Sequence, residues 1–274
     1  MEFEGAAVVV TGAAGGIGRA LARRFHALGA NVVVSDIQAP GVTAVASELD
    51  TIRPGSALAI VADIGTESGN VELISRAQRF FTGHHNPDGI DLFFANAGVG
   101  GGTFLDTTDE QQWALAFDVN VNAHRWAAKH LLPTWLERSG GGYFCSTASA
   151  AGLLTQIGSA PYSVTKHAAV GFAEWLSVTY GARGIRVSCL CPQGVNTDMI
   201  NQPDGFSGPT DIVRAAGGIL EPETVAEVVS AAIEAETFLI LPHPEVAGYE
   251  QFKAADRDKW ISGMRRLQRK ILGY

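Results

Sequence analysis

Cysteine is scarce. The 274-residue chain has three, Cys145, Cys189 and Cys191. Three thiols cannot build a disulfide framework, and the Cys-x-Cys pair lacks the second half that a zinc site needs. They read as reduced thiols packed near a core, and no metal site is expected. His84 and His85 lie in a Gly/Asn/Pro-rich stretch without partners at ligand spacing, which reads as a solvated loop. Charged residues are also few, at 18%, and the formal net charge is −8. The one basic cluster, Arg265-Arg266-Leu267-Gln268-Arg269-Lys270, is short, so a nucleic-acid partner has little electrostatic support. No stretch reaches the ~18 apolar residues of a membrane span. The start, Met1-Glu2-Phe3-Glu4-Gly5, has no basic flank and runs straight into a strand. A cytoplasmic protein with small-molecule partners is the expectation.

Apolar residues (46%) and glycines (32) are plentiful, which suits a large buried sheet with tight turns. Seven short runs rich in Val, Ile, Leu or Phe read as strands: Ala6–Val10, Asn31–Ser35, Ala57–Ala62, Ile90–Ala95, Gly142–Ser146, Ile185–Cys191 and Phe238–Leu241. Their continuous apolar character predicts that helices cover both faces. Ile17, Leu21, Phe25 and Leu28 mark the buried face of a helix ending at Gly29, and further helices are predicted near 67–81, 109–137, 160–182 and 222–235. The alternation predicts one α/β domain over 1–274, a doubly wound, parallel, seven-stranded Rossmann sheet with ligands at the carboxyl ends of its strands. The Gly- and Pro-rich segment 194–221 is too long for an ordinary connection and reads as a substrate lid. Residues 243–274 form a C-terminal extension. Its Trp260, Met264, Leu267 and Ile271 make an apolar stripe that docks on this or a neighbouring subunit, with membrane-surface attachment as the rival reading.

The first strand runs into Thr11-Gly12-Ala13-Ala14-Gly15-Gly16-Ile17-Gly18, where the first helix opens. Glycine lets the backbone turn sharply and approach a pyrophosphate, and free amides at the helix N-terminus attract its charge. Asp36, 18 residues past Gly18 at the end of the second strand, is placed to bind both ribose hydroxyls of an adenosine. A carboxylate there repels a 2′-phosphate, and no Lys or Arg in the loop neutralises one, so NAD is favoured over NADP. A simple glycine turn and a solvated aspartate are the bland alternatives.

Tyr162 and Lys166 are four residues apart in a helical stretch, so they share a face. A tyrosine with an ordinary pKa near 10 is a poor base at neutral pH, and an adjacent ammonium lowers that value. The pair alone also fits a solvated helix face.

With these residues in view, the sequence resembles the short-chain dehydrogenases/reductases, in their single-domain branch, over roughly residues 5–242. The resemblance rests on Thr-Gly-x-x-x-Gly-Ile-Gly at 11–18, Asn96-Ala97-Gly98, Asn120, Ser149 and Tyr162-Ser163-Val164-Thr165-Lys166, with Ser149 standing 13 residues before Tyr162. It implies that Ser149 hydrogen-bonds the substrate oxygen, Tyr162 exchanges the proton, Lys166 holds the nicotinamide ribose and lowers the tyrosine pKa, and Asn120 supports a proton relay. Asn122 is a nearby decoy. The cofactor contacts implied are Gly12, Ala14, Gly16, Ile17, Gly18, Asp36, Asp63, Ile64, Asn96, Ala97, Gly98, Val195 and Thr197, together with Tyr162 and Lys166. Asp63 looks like an adenine contact, with a helix N-cap residue as its plain alternative. The family is commonly tetrameric or dimeric, so a homo-oligomer is expected.

Two departures from the family pattern stand out. Ala95-Asn96 keeps only the second of the usual paired asparagines, and Gln193 replaces a glycine in Pro192-Gln193-Gly194-Val195-Asn196-Thr197. Substrate contacts are expected from Ser149, Leu154, Gln156, Gln193 and Met199, beside Gly100–Phe104, Leu153, Ile157, Ile200 and Phe206. Their mostly apolar character predicts a lipophilic alcohol or ketone. Ser163-Val164-Thr165-Lys166 also matches the Ser-x-x-Lys of serine acyl enzymes, but neither Ser-Asp-Asn nor Lys-Thr-Gly occurs. An NAD(H)-binding redox sensor or scaffold without turnover is the remaining alternative; such a protein is expected to lose the tyrosine or lysine, and this chain keeps both.

Overall fold

Alternate side chains of β1 (Ala7–Thr11) enter opposite cores: Ala7 and Val9 one apolar layer, Val8 and Val10 the other. A strand covered on both faces needs apolar residues at every position, hence the unbroken run. Each fully buried Val, Leu or Phe contributes roughly 1.5–3 kcal/mol. β2 (Asn31–Asp36), β3 (Ala57–Val61), β4 (Leu92–Ala95), β5 (Gly142–Thr147), β6 (Ile185–Leu190) and β7 (Leu239–Ile240) extend the sheet in the order β3-β2-β1-β4-β5-β6-β7, all parallel. All seven expected strands are present. β3 departs from two-sided cover because it is an edge strand, and its Val61 is exposed. The computed structural model describes residues 1–84, 86–201 and 218–273. His85, Phe206 and residues 202–217 of the expected lid lie outside the described residues.

On one face lie α1 (Gly16–Ala27), α2 (Ala39–Ile52) and α9 (Pro222–Glu234), which bury Leu21, Phe25, Val42, Leu49, Val229 and Ile233. The other face is covered by α3 (Glu67–His84), α5 (Ala123–Glu137) and α7 (Ala160–Tyr180), through Leu73, Phe81, Leu131, Trp135, Ala173 and Leu176. The strand order reverses direction between β1 and β4, so a crevice opens above the carboxyl ends of these two strands.

Several elements go beyond expectation. α2 was not predicted: its Val42, Val45, Ala46 and Leu49 have helical spacing, diluted by Gly41, Thr43, Ser47 and Thr51. The single helix expected over 109–137 is divided. α4 (Glu110–Phe117), capped by Asp109 accepting the Gln112 amide at 2.8 Å, joins α5 through a π-helical turn at Asp118–Asn122. Two short helices, α6 (Ala151–Leu154) and α8 (Asp198–Asn201), flank the crevice, and α10 (Glu245–Ala255) and α11 (Arg257–Leu272) build the extension. Of the predicted apolar stripe of α11, Trp260 leans on its own fold, while Leu267 is exposed. Trp260 packs against the core and meets Phe252 edge-on, ring centroids 6.0 Å apart. Among the described residues no helix is long and apolar enough to cross a membrane.

Candidate active site

The glycine loop is shaped by close backbone approach. Gly12 has φ +65°, and a methyl there would sit 2.7 Å from the Ala97 Cα; one at Gly18 would run into the Gly12 carbonyl. The Ala13 amide donates to the Ser35 carbonyl at 3.1 Å, and the Ala14 amide to Asp36 Oδ2 at 3.1 Å. Asp36 Oδ1 accepts the Gln38 amide at 3.0 Å, so the carboxylate is fixed at the end of β2.

Asn96 ties the neighbouring strand ends together. Its Nδ2 donates to the Thr11 carbonyl at 3.0 Å, and its Oδ1 accepts from Thr147 Oγ1 at 3.2 Å. Thr11 Oγ1 accepts the amides of Asn96 (2.9 Å) and Ala97 (3.0 Å). One asparagine thus bridges β1, β4 and β5, while Ala95, in place of the family's other asparagine, is packed in the core.

The expected proton-transfer residues arrive from three places in the fold. Ser149 follows β5, is buried, and accepts the Ala151 amide at 3.1 Å. Tyr162 and Lys166 stand on the first turns of α7. Lys166 Nζ donates to the Thr147 carbonyl at 3.0 Å and lies 5.6 Å from the centre of the Tyr162 ring. Asn120 is fully buried on the π-helical turn, a feature that often marks functional sites. Its Nδ2 donates to the Val99 carbonyl (3.0 Å) and Thr165 Oγ1 (3.1 Å), and its Oδ1 accepts the Val99 amide (2.9 Å). The π turn sets the two asparagines apart: Asn122 instead donates to Asp118 Oδ1 at 2.9 Å and accepts from Arg125.

Burial sets the electrostatics, and here one expectation is corrected. Desolvation pulls the Lys166 ammonium down to about 8, opposed by the Cys189 and Cys191 thiols. Tyr162 was expected to be lowered by Lys166. Burial instead pushes its phenol above the ordinary value; hydrogen bonding with Ser149 lowers it in part, and Cys191 adds to the rise. The physical reason is desolvation of the phenol, while the Lys166 ammonium donates to the Thr147 carbonyl. The three cysteines are free and buried, with Cys189 and Cys191 Sγ atoms 3.8 Å apart. No group of His, Cys, Asp and Glu among the described residues could hold a metal.

The expected cofactor residues line one cleft with Ser149, Leu154, Gln156, Gln193 and Met199; Phe104 and Leu153 do not line it, and of the expected catalytic residues only Asn120 stands behind its wall. The cleft volume of about 1640 Å³ exceeds the roughly 300–1,000 Å³ of a single small-ligand pocket, leaving room for a dinucleotide and a substrate together. Asp63 Oδ1 accepts the Gly65 amide at 3.0 Å beside Ile64, in a tight turn at the cleft edge. Val195 is buried and pairs with Leu220, which closes the two ends of the 194–221 segment on each other. Thr197 packs against the glycine loop, where a methyl on Gly16 would meet its Cγ2 at 2.9 Å. Gln193 donates its backbone amide to His243 Nδ1 at 3.2 Å, and its Oε1 is buried without a partner among the described residues. Leu154, Gln156 and Met199 line the outer wall, joined by Met264 from α11. Met264 was legible only as part of a docking stripe. Thr11 and Thr165 lay within the motifs without a role read for them, and His243 carried no motif signal.

The glycine cradle and the α1 N-terminus, with the Asp36 carboxylate fixed beside them, suit a dinucleotide. A family profile described as short chain dehydrogenase matches residues 6–204. The chain is 34% identical to 1-deoxy-11-beta-hydroxypentalenate dehydrogenase of Streptomyces exfoliatus, over 89% of this chain and 86% of that one. It is 32% identical to meso-2,3-butanediol dehydrogenase of Serratia marcescens, over 84% and 88%. A crystal structure of a short chain dehydrogenase/reductase from Burkholderia phymatum in complex with NAD superposes with a TM-score of 0.83 at 27% identity, covering 94% of this chain and 96% of that one. Fold, motif geometry and these likenesses agree, and the chain belongs to the short-chain dehydrogenase family.

Proposed function

We propose that this enzyme transfers hydride between NAD and a lipophilic secondary alcohol or ketone. The observation that carries the reading is the convergence of Ser149, Tyr162 and Lys166 in the same cleft as the glycine loop and Asp36. NAD bound there supplies the hydride acceptor, and its reduced form the donor. The proton falls to the side chains. In reduction, the neutral Tyr162 phenol gives its proton to the carbonyl oxygen; in oxidation, the phenolate takes the hydroxyl proton as hydride leaves the same carbon. Ser149 orients the substrate oxygen and stabilises the charge that develops on it. Lys166 binds the nicotinamide ribose. Asn120 supports proton relay from behind the wall.

Asp36 takes the adenosine ribose hydroxyls and rejects a 2′-phosphate, with Asp63 and Ile64 at the adenine end and Val195 and Thr197 at the carboxamide. The apolar wall of Leu154, Ile157, Met199 and Met264 supports a lipophilic substrate. The proposal includes a homo-oligomer, dimer or tetramer. It is supported by the groove between α5 and α7, where Leu132, Leu136 and Phe172 adjoin an exposed Trp175.

Purified protein mixed with NAD or NADP and secondary alcohols from 2-butanol to 2-decanol tests the reading through the absorbance of reduced cofactor. NAD reduction that grows more efficient with chain length is expected. Absence of turnover across the series, or activity confined to NADP, contradicts it.

A further inference from the structure

The C-terminal extension carries a buried lysine that none of the chemistry above uses. Lys253 on α10 is only 8% exposed. Its Nζ donates to the Leu153 carbonyl and reaches His167 Nε2 at 3.4 Å. His167 donates from Nδ1 to the Ser163 carbonyl at 2.8 Å, which leaves Nε2 as the lone-pair acceptor an ammonium needs. Burial pushes the Lys253 pKa below the ordinary lysine range, Arg257 adds to the fall, and Glu250 opposes it. An ammonium taken out of water in this way is stable only where acceptors meet it.

Both acceptors adjoin the substrate side of the cleft. The Leu153 carbonyl belongs to the last turn of α6, where helix carbonyls lack intrahelical partners. Two residues later Thr155 takes φ +71°, an uncommon conformation for a β-branched residue. There the chain turns so that Gln156 and Ile157 line the cleft. Ser163 Oγ holds this turn from the other side, accepting the Gln156 amide at 2.9 Å and donating to its carbonyl at 3.0 Å. α6 rests directly on α7: a methyl on Gly152 would run into the Lys166 carbonyl. His167 is the next residue along. α10 therefore holds both the helix bearing Tyr162 and Lys166 and the turn leading into the substrate wall, and α11 then places Met264 in that wall.

We propose that Lys253 is a positioning residue for the substrate wall, clamping α6 to α7 through Leu153 and His167, and that with Met264 it makes the C-terminal extension part of the substrate site. The proposal rests on reading the cleft as a secondary-alcohol site. The clamp touches neither the glycine loop nor Asp36, so cofactor affinity depends on it far less than substrate affinity does.

The test uses the full chain with Lys253→Met, Lys253→Arg and Met264→Ala, with NAD and 2-octanol as probes. Lys253→Met is expected to raise the KM for 2-octanol about tenfold, the scale of losing a charge-assisted hydrogen bond, with kcat and NADH affinity changed far less. Lys253→Arg is expected to restore most of the loss, and Met264→Ala to reduce the preference for 2-octanol over 2-butanol. A wild-type KM in Lys253→Met, a matching loss of NADH affinity, an arginine no better than methionine, or an unchanged preference in Met264→Ala overturns the proposal. Hydrogen exchange at the 152–158 amides with NADH bound reports the clamp without turnover. Faster exchange in Lys253→Met, reversed in Lys253→Arg, supports the clamp, and unchanged exchange overturns it. If the wild type oxidises no alcohol, the substrate reading fails while exchange still decides the clamp.

Discussion

The Asp36 carboxylate accepts the Ala14 amide at 3.1 Å, so the residue proposed to choose the cofactor also holds the loop proposed to bind it. Asp36→Asn keeps an acceptor for Ala14 and removes the charge. The NADP-to-NAD ratio of kcat/KM is expected to rise about tenfold or more, because like-charge repulsion of the 2′-phosphate is lost. Steady-state kinetics with both cofactors measures it; an unchanged ratio shows that Asp36 does not face the ribose.

Asn96 bridges three strand ends through side-chain bonds to the Thr11 carbonyl and from Thr147 Oγ1. Asn96→Ala leaves those groups unpaired between strands. A loss of about 1–3 kcal/mol in denaturant unfolding is expected, from roughly 0.5–1.5 kcal/mol for each bond. A loss well below that range indicates that the strand ends hold without the bridge.

Lys166 carries a pH signature. Its folded pKa of about 8 lies below the roughly 10.4 of an unfolded lysine. Between these values the unfolded chain binds more protons, so this group's contribution to stability rises with pH from about 8 to 10. Below pH 8 the buried ammonium costs its full amount, on the order of 3 kcal/mol. Any stability gained by Lys166→Met over the wild type is thus greatest near pH 7 and shrinks toward pH 10. Denaturant melts of both proteins across that range measure the difference, and one independent of pH contradicts the assignment.

Trp175 is 55% exposed and Val178 85% exposed on α7, beside the apolar groove shared with α5. Val178→Asp places a charge on that surface. If it is the subunit interface, sedimentation shows a smaller assembly with an intact fold. The same assembly in wild type and variant removes this face from the interface.

Much of this was legible in the sequence, for definite reasons. Both-face cover turns strands such as Ala7–Thr11 into unbroken apolar runs, so the sheet could be counted. Motif spacing placed the glycine loop, Ser149 and Tyr162 in one cleft. α2 was hidden because small polar residues dilute its stripe. Asn120 and Asn122 were inseparable because a π-helical turn, which leaves no periodic trace, rotates only Asn120 inward. The rise in the Tyr162 pKa depends on burial, and the Lys253 clamp joins residues 100 positions apart, so neither has a local signal.

The most direct test of the central claim is Tyr162→Phe, which removes one hydroxyl and leaves the ring in place. Titration with NADH by fluorescence, followed by steady-state oxidation of 2-octanol, separates binding from proton transfer. The account predicts near-wild-type NADH affinity and a kcat lower by at least about 10²-fold, the usual scale of general acid–base catalysis. Wild-type turnover in the phenylalanine variant would contradict it.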